Sequence, residues 1–221
     1  MCGRFAITLP PDAMAQLFEA QPANDLPSVP NYNVCPTNQV HVVSLGETGR
    51  RLVSMRWGFL PHWYKAPNDG PLLINARSET IAEKPAFRAA CRERRCLIPA
   101  TGFYEWTKDG EGKRLPWYIT SEGGGTLAFA GVWQEWTKGE MPMVTCAIVT
   151  AAATGAITDI HHRMPVALAP ADWPLWLGEA GKGAARLLQN PDGAQFRFHR
   201  VDPKVNSNRA AGPELIEPLD A

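Results

Sequence analysis

No apolar run in the sequence approaches the ~20 residues that cross a bilayer, and the amino terminus lacks the short apolar core of an export signal. A cytoplasmic, reducing setting is therefore expected. Net charge is missing as well: 22 lysines and arginines face 22 aspartates and glutamates. That balance excludes a chain-wide basic field, so a nucleic-acid partner needs either a local basic surface or a covalent bond to hold it. The five cysteines are odd in number and form no Cys-x-x-Cys pair. A disulfide framework is not expected, and Cys91, Cys96 and Cys146 read as small core hydrophobes. Neither a His-Glu-x-x-His motif nor zinc-type Cys/His spacing occurs, so no metal and no cofactor are expected. Repeats, heptads and low-complexity linkers are also missing, which argues for one domain over residues 1–221.

What is present is an ordinary globular composition, 45% hydrophobic, with an unusual eight tryptophans. A chain of this length buries roughly 70% of its unfolded surface and needs no staple. Pro10-Pro11-Asp12 followed by Ala13, Met14, Leu17 and Phe18 predicts a short amphipathic helix. A proline-rich loop is expected from Pro22 to Pro36. Strands are predicted at 40–45, 51–57, 72–76, 96–99, 102–106, 115–120, 126–133 and 143–150. Helices are predicted at 84–95, at 154–160 and within 171–188. Asp109-Gly110 and Gly123–Gly125 supply turns. Strands follow strands, with helices at the start, middle and end. The pattern predicts an α+β fold with a mainly antiparallel, curved sheet or barrel-like core and flanking helices.

Three segments can carry chemistry. In Leu72–Arg77, strand alternation puts Asn75 and Arg77 on one face, with Ile74 and Ala76 toward the core. An amide beside a guanidinium suits a small polar ligand with a phosphate or carboxylate; an exposed strand end with a surface ion pair reads equally from the pattern. In Thr101–Trp106, Phe103 and Glu105 share one face, while Tyr104 and Trp106 share the other. A carboxyl among aromatics is desolvated and useful for proton transfer, whereas a solvated Glu105 carries no such role. Before Met164-Pro165 comes His161-His162. Adjacent helical residues point about 100° apart, so the pair does not suit one metal, although a single histidine suits acid–base work near neutrality.

Two further features bear on partners. Arg88, Arg92 and Arg95 would line one helical face. Pro61-His62-Trp63-Tyr64 offers aromatics either for stacking on bases or for the core.

Cys2 stands directly behind Met1. Were Met1 removed, one residue would hold both a free α-amine and a thiol. That pair can condense with an aldehyde into a five-membered thiazolidine, or act as an amino-terminal nucleophile.

Taken together, MCGRF at 1–5, YNVCPT at 32–37, RWGFLP at 56–61, LINARSET at 73–80, GFYEW at 102–106, IVTAAA at 148–153, DIHHRMPV at 159–166 and VNSNRAAGPELIEPL at 205–219 resemble the SOS response-associated peptidase (SRAP) family across essentially the whole chain. Two departures are Cys35, where a small residue such as alanine is expected, and His162, where aspartate often follows the histidine. The resemblance implies a mostly β fold around a cleft lined on one side by positive charge. It also implies a sensor of abasic sites in single-stranded DNA, working without a cofactor, without metal and as a monomer, and nucleoid-associated when bound to DNA. Cys2 would be the covalent nucleophile, and Asn75, Glu105 and His161 match active-site positions. Arg4, Arg77 and Thr150 match nucleic-acid or pocket contacts, and Trp63 joins them as a stacking residue. Autopeptidase removal of Met1 is a further implication.

Other readings make different demands. An amino-terminal-nucleophile amidohydrolase usually supplies an oxyanion site from an Asn-Gly pair, and the sequence has none. A thiol peptidase acting on other proteins would need Cys2 for proteolysis. A non-catalytic DNA-binding module would not need Cys2 at all.

Overall fold

The computed structural model describes residues 2–189 and 191–219, with Ala194 described in its backbone only. Strand β1 (Phe5–Ile7) leads into helix α1 (Pro11–Phe18). Pro11 at the first helical position needs no donor there, and Glu19 closes the helix in the left-handed region, returning its N–H to Ala15 and Gln16. The helix buries Met14 and Phe18, and the Phe18 ring stacks on Trp173 at 4.5 Å. Strands β2 (Gln21–Pro22) and β3 (Asn31–Val34) come next. They interrupt the expected proline-rich loop.

Strands β4 (Gln39–Gly46) and β5 (Gly49–Trp57) form a hairpin rich in buried valine and leucine. Gly49, at φ 127°, supplies a backbone conformation that side chains disfavour. Strand β6 (Asn75–Arg77) and helix α2 (Arg88–Glu93) precede β7 (Arg95–Ala100), β8 (Gly102–Lys108), β9 (Arg114–Ser121), β10 (Leu127–Trp136) and β11 (Met143–Ala152). A 3₁₀ turn at Gly155–Asp159 leads to β12 (Arg163–Pro165), α3 (Trp173–Leu177) and β13 (Phe196–Arg200).

Five strands close a barrel. β11 pairs with β10, β10 with β7, β7 with β4 and β4 with β5; β5 then returns to β11 in parallel through Arg56 opposite Thr145 and Trp57 opposite Cys146. A second, antiparallel sheet runs in the order β13-β9-β8-β1-β3. The main core lies between them, where Phe5 meets Trp57 at 5.2 Å and Phe103 meets Phe129 at 5.7 Å. On the other face of the second sheet, Ala6, Tyr104 and Tyr118 pack beneath Val201, Val205 and Leu215 of the C-terminal segment. Strand β8 is therefore covered on both sides, which is why so few of its residues reach water. Among the described residues no helix is long and apolar enough to cross a membrane.

The mainly antiparallel, barrel-like α+β expectation is met, with local corrections. The predicted strand at 72–76 is ordered as a strand only at Asn75–Arg77, because pairing with β11 begins at Asn75; before it Leu73 makes a single bridge to Phe59. The predicted helix at 84–95 contracts to α2. Arg95 opens β7 instead, its guanidinium donating to the carbonyls of Cys91, Arg92 and Trp176, so Arg88, Arg92 and Arg95 do not share a helical face. The helix expected at 154–160 is the 3₁₀ turn, and 171–188 divides into α3 and a 3₁₀ turn at Ala184–Leu188. Cys96 and Cys146 are buried, Cys91 is partly so, and all five cysteines are unbridged.

Candidate active site

The site forms where the chain enters β1. Cys2 is fully buried there. Strand β6 lies parallel to β11, with Asn75 opposite Ile148 and Arg77 opposite Thr150. Ile148 also pairs with Gly131 of β10, so β6 occupies the opposite edge of β11. The alternation read from sequence holds: Ala76 is buried, and Asn75 and Arg77 face away from it. The Asn75 amide Nδ2 donates to the Cys2 carbonyl at 2.9 Å. Its Oδ1 is buried without a hydrogen-bond partner among the described residues. Asn75 thus grips the backbone of the residue that carries the thiol, and keeps an acceptor in reserve.

Glu105 sits in the middle of β8, 3% exposed, paired opposite Trp117 of β9. Burial pushes its carboxyl up to about 7, against the lowering pull of Arg114. The Cys2 thiol is pushed well above the usual thiol range, first by burial and then by the charge of Glu105. An ionised Glu105 therefore makes the Cys2 thiol harder to deprotonate.

His161 follows the 3₁₀ turn and is half-buried. Its Nδ1 accepts the Arg163 N–H at 2.9 Å and also lies 3.1 Å from the Arg163 carbonyl. Burial is the first cause of the lowering of its pKa. The His161 and His162 rings stack face to face with centroids 4.3 Å apart, while His162 is exposed. Among the described residues no group of three or more histidines, cysteines, aspartates or glutamates is placed to hold a metal ion.

Glu105 and His161 line one cavity of about 340 Å³, together with Gly3, Arg4, Trp106 and Arg114. Arg4 is fixed by Nη1 donating to Asn33 Oδ1 at 2.7 Å and to the Val205 carbonyl at 2.9 Å. The Arg114 guanidinium lies 4.5 Å from the Trp106 ring centroid, a cation–π distance. Trp106 is itself held by Nε1 donating to Asn206 Oδ1 at 2.6 Å. With Lys108 also in the wall, three cations oppose one carboxyl in this cavity. That is the local basic surface which the neutral composition left to the fold.

Asn75 also lines a second cavity, of about 510 Å³, with Arg77, Lys84, Phe87 and Trp63. The Trp63 indole is 45% exposed, while its neighbour Tyr64 is buried against Leu60 and Trp136. Thr150 is fully buried; its carbonyl accepts from the Ser78 N–H at 2.8 Å and from Arg163 Nη2 at 2.7 Å.

Sequence reasoning passed over Arg114, Lys108, Glu79 and Arg163. The first two were accessible in principle: the turn at Asp109-Gly110 sets Lys108 opposite Arg114 across the hairpin, next to Trp106. Arg163 and Glu79 meet only through the pairing of distant strands.

The barrel with its flanking antiparallel sheet is found in solved structures. A protein from Bacteroides thetaiotaomicron superposes with a TM-score of 0.85 over 99% of this chain and 100% of its own, at 22% identity. A phage-related protein from Bordetella bronchiseptica does so with a TM-score of 0.74 over 90% and 94%, at 28% identity.

The chain belongs to the SOS response associated peptidase (SRAP) family, which it matches over residues 1–208. Its relatives include abasic site processing protein YoqW of Bacillus subtilis (strain 168), 35% identical over 98% of this chain and 99% of the relative. Abasic site processing protein YedK of Escherichia coli (strain K12) is 31% identical over 99% and 100%. Abasic site processing protein HMCES of Rattus norvegicus is 31% identical over 100% of this chain and 76% of its own length.

Proposed function

We propose that this protein processes abasic sites in single-stranded DNA by trapping them covalently on Cys2 once Met1 has been removed. The Cys2 amine, with a reference pKa of about 7.7–8.0, is partly neutral at pH 7. It adds to the C1′ aldehyde of the ring-opened sugar, giving a carbinolamine. Loss of water gives an imine. The thiol then adds across the C=N bond and its proton passes to nitrogen, closing a thiazolidine. One C–N and one C–S bond form, one water leaves, and nothing is oxidised or reduced.

Each group has a task in this scheme. His161 protonates the departing ring oxygen as the sugar opens. Glu105 moves protons among the amine, the carbinolamine oxygen and the thiol; a carboxyl held near 7 can both give and take them at neutral pH. Asn75 keeps the aminothiol in register through the Cys2 carbonyl. Arg4 and Arg77 hold flanking phosphates, Trp63 offers a stacking face, and Thr150 shapes the pocket, which positions DNA without reading its sequence.

The observation that carries the reading is the Asn75 amide clamping the carbonyl of the buried Cys2 at 2.9 Å; the charge of the buried Glu105, which bears on the same thiol, supports it. The relatives named as abasic site processing proteins supply the substrate class. Covalent capture also fits a chain of zero net charge, because phosphate contacts alone give salt-sensitive dissociation constants of about 10⁻⁴–10⁻⁶ M.

Intact mass tests the proposal. Wild-type protein mixed with an abasic single-stranded oligonucleotide should give a heat-resistant species. Its mass is that of the chain without Met1 plus the oligonucleotide minus one water. A residue inserted between Met1 and Cys2 should abolish it without unfolding the protein. No adduct from wild type overturns the proposal. A Glu105→Gln protein that keeps Met1 where wild type loses it would assign that removal to the protein's own residues.

A further inference from the structure

We infer that Glu79, which lies outside the cavity lined by Glu105 and His161, is a positioning residue that sets the His161 imidazole through Arg163. The inference rests on the abasic-capture reading for its kinetic consequence, but not for its geometry.

Glu79 lines a different cavity, of about 510 Å³, beside Cys91 and Leu188. Its carboxylate takes both arms of Arg163, with Nη1 donating to Oε1 at 2.6 Å and Nη2 to Oε2 at 3.0 Å. The Ala152 N–H donates to the same Oε1 at 3.3 Å. Arg163 Nη2 also donates to the Thr150 carbonyl at 2.7 Å. Only 11% of the Arg163 side chain is exposed. A guanidinium so enclosed needs a fixed counter-charge, and a two-armed carboxylate supplies charge and direction together.

The main chain of Arg163 completes the link. It offers His161 Nδ1 an N–H at 2.9 Å and a carbonyl at 3.1 Å. A neutral ring accepts from the N–H through its Nδ1 lone pair, which leaves its own proton on Nε2. A protonated ring instead donates Nδ1–H to the carbonyl. One residue therefore serves both charge states of a group that must gain and lose a proton, without turning the ring. Strand β12 is only three residues long, paired to β11 through Ala152 opposite Arg163. The Glu79–Arg163 fork ties that short strand to the β6 side of β11. Without it, the peptide that faces His161 keeps only Thr150 as its side-chain anchor.

Nitrogen-15 NMR of the His161 ring reads this directly, alongside capture rates on an abasic oligonucleotide. Wild type above the His161 titration should show Nδ1 as acceptor and the proton on Nε2. Glu79→Gln, nearly the same size but uncharged, should give a mixed tautomer and capture slowed about tenfold, since small misplacements of a reacting group are costly. Arg163→Lys, which keeps the charge and loses the fork, should do the same, with Glu79→Asp lying between wild type and Glu79→Gln. A Glu79→Gln protein with the wild-type tautomer overturns the inference, whether or not its rate falls. If Glu79→Gln does not fold, Arg163→Lys decides by the same two readings. Absence of any adduct from wild type would defeat the abasic-capture reading alone, because the ring signature is measured without DNA.

Discussion

The Asn75 side-chain amide donates to the Cys2 carbonyl at 2.9 Å, joining residues 73 positions apart in the chain. This bond orients a cysteine whose thiol is already enclosed. Replacing Asn75 by Ala removes the donor and leaves that carbonyl without its side-chain partner. Capture is expected to fall about a hundredfold, the penalty typical of a reacting group displaced by about 1 Å. The fold should survive, since losing one hydrogen bond costs about 1 kcal/mol and about 2–4 °C in Tm at this size. Capture kinetics beside a thermal melt check both halves. A large loss of Tm would recast Asn75 as a structural residue.

Glu105 should reveal its burial in the pH dependence of stability. A carboxyl raised from 4.5 to about 7 holds its proton more tightly when folded. Its stabilising contribution is complete below pH 4.5 and is lost as pH rises through about 7. At 1.36 kcal/mol per pKa unit, the ionised buried group costs up to about 3 kcal/mol above that range. Glu105→Gln, with no charge to bury, should therefore gain on wild type between pH 5 and pH 8 in urea unfolding, while capturing DNA more slowly. A wild-type-minus-variant difference that stays flat across that interval would contradict the buried-acid assignment.

His41 carries the opposite sign. It lies 1% exposed in β4, and burial lowers its pKa from 6.5 to about 4. The unfolded chain takes up the proton first. The contribution of neutral His41 is therefore whole above pH 6.5 and disappears as pH falls from 6.5 toward 4, by at most about 3 kcal/mol. Urea midpoints of wild type and His41→Gln should converge over that interval as pH is lowered. Parallel curves would show that His41 does not titrate with folding.

Arg114 over Trp106 is expected to touch phosphate rather than to support the fold. Arg114→Ala should weaken binding to intact single-stranded DNA and reduce the slope of log K against log salt by about 0.7, the value for one phosphate contact on a single strand. Equilibrium titrations at several salt concentrations measure it. An unchanged slope would place the Arg114 charge outside the DNA path.

The strand pattern of β4, β5 and β7 to β11 is legible in the sequence because alternating and β-branched runs, such as Val40 to Val43, report burial locally. The short strands β1, β3 and β13 are not. Three to five residues carry too little periodicity, and Phe5 to Ile7 is buried on both faces, which erases alternation altogether. The shortened helix α2 has a similar origin. Arg95 fits a helical spacing, yet its guanidinium finds carbonyls only when residue 95 begins a strand.

The sequence by itself determined the chemical inventory: a thiol two carbons away from a potential amine, an amide and a guanidinium on one strand face, and a carboxyl between aromatics. These are properties of residue type and of period two, which need no partner. Tertiary structure alone decided that Glu105 lies deep enough to hold its proton near neutrality, that Arg4, Lys108 and Arg114 gather in one wall, and that Glu79 reaches Arg163. Desolvation and charge pairing depend on what lies within a few ångströms, and strands distant in the chain supply those neighbours only after the barrel has closed.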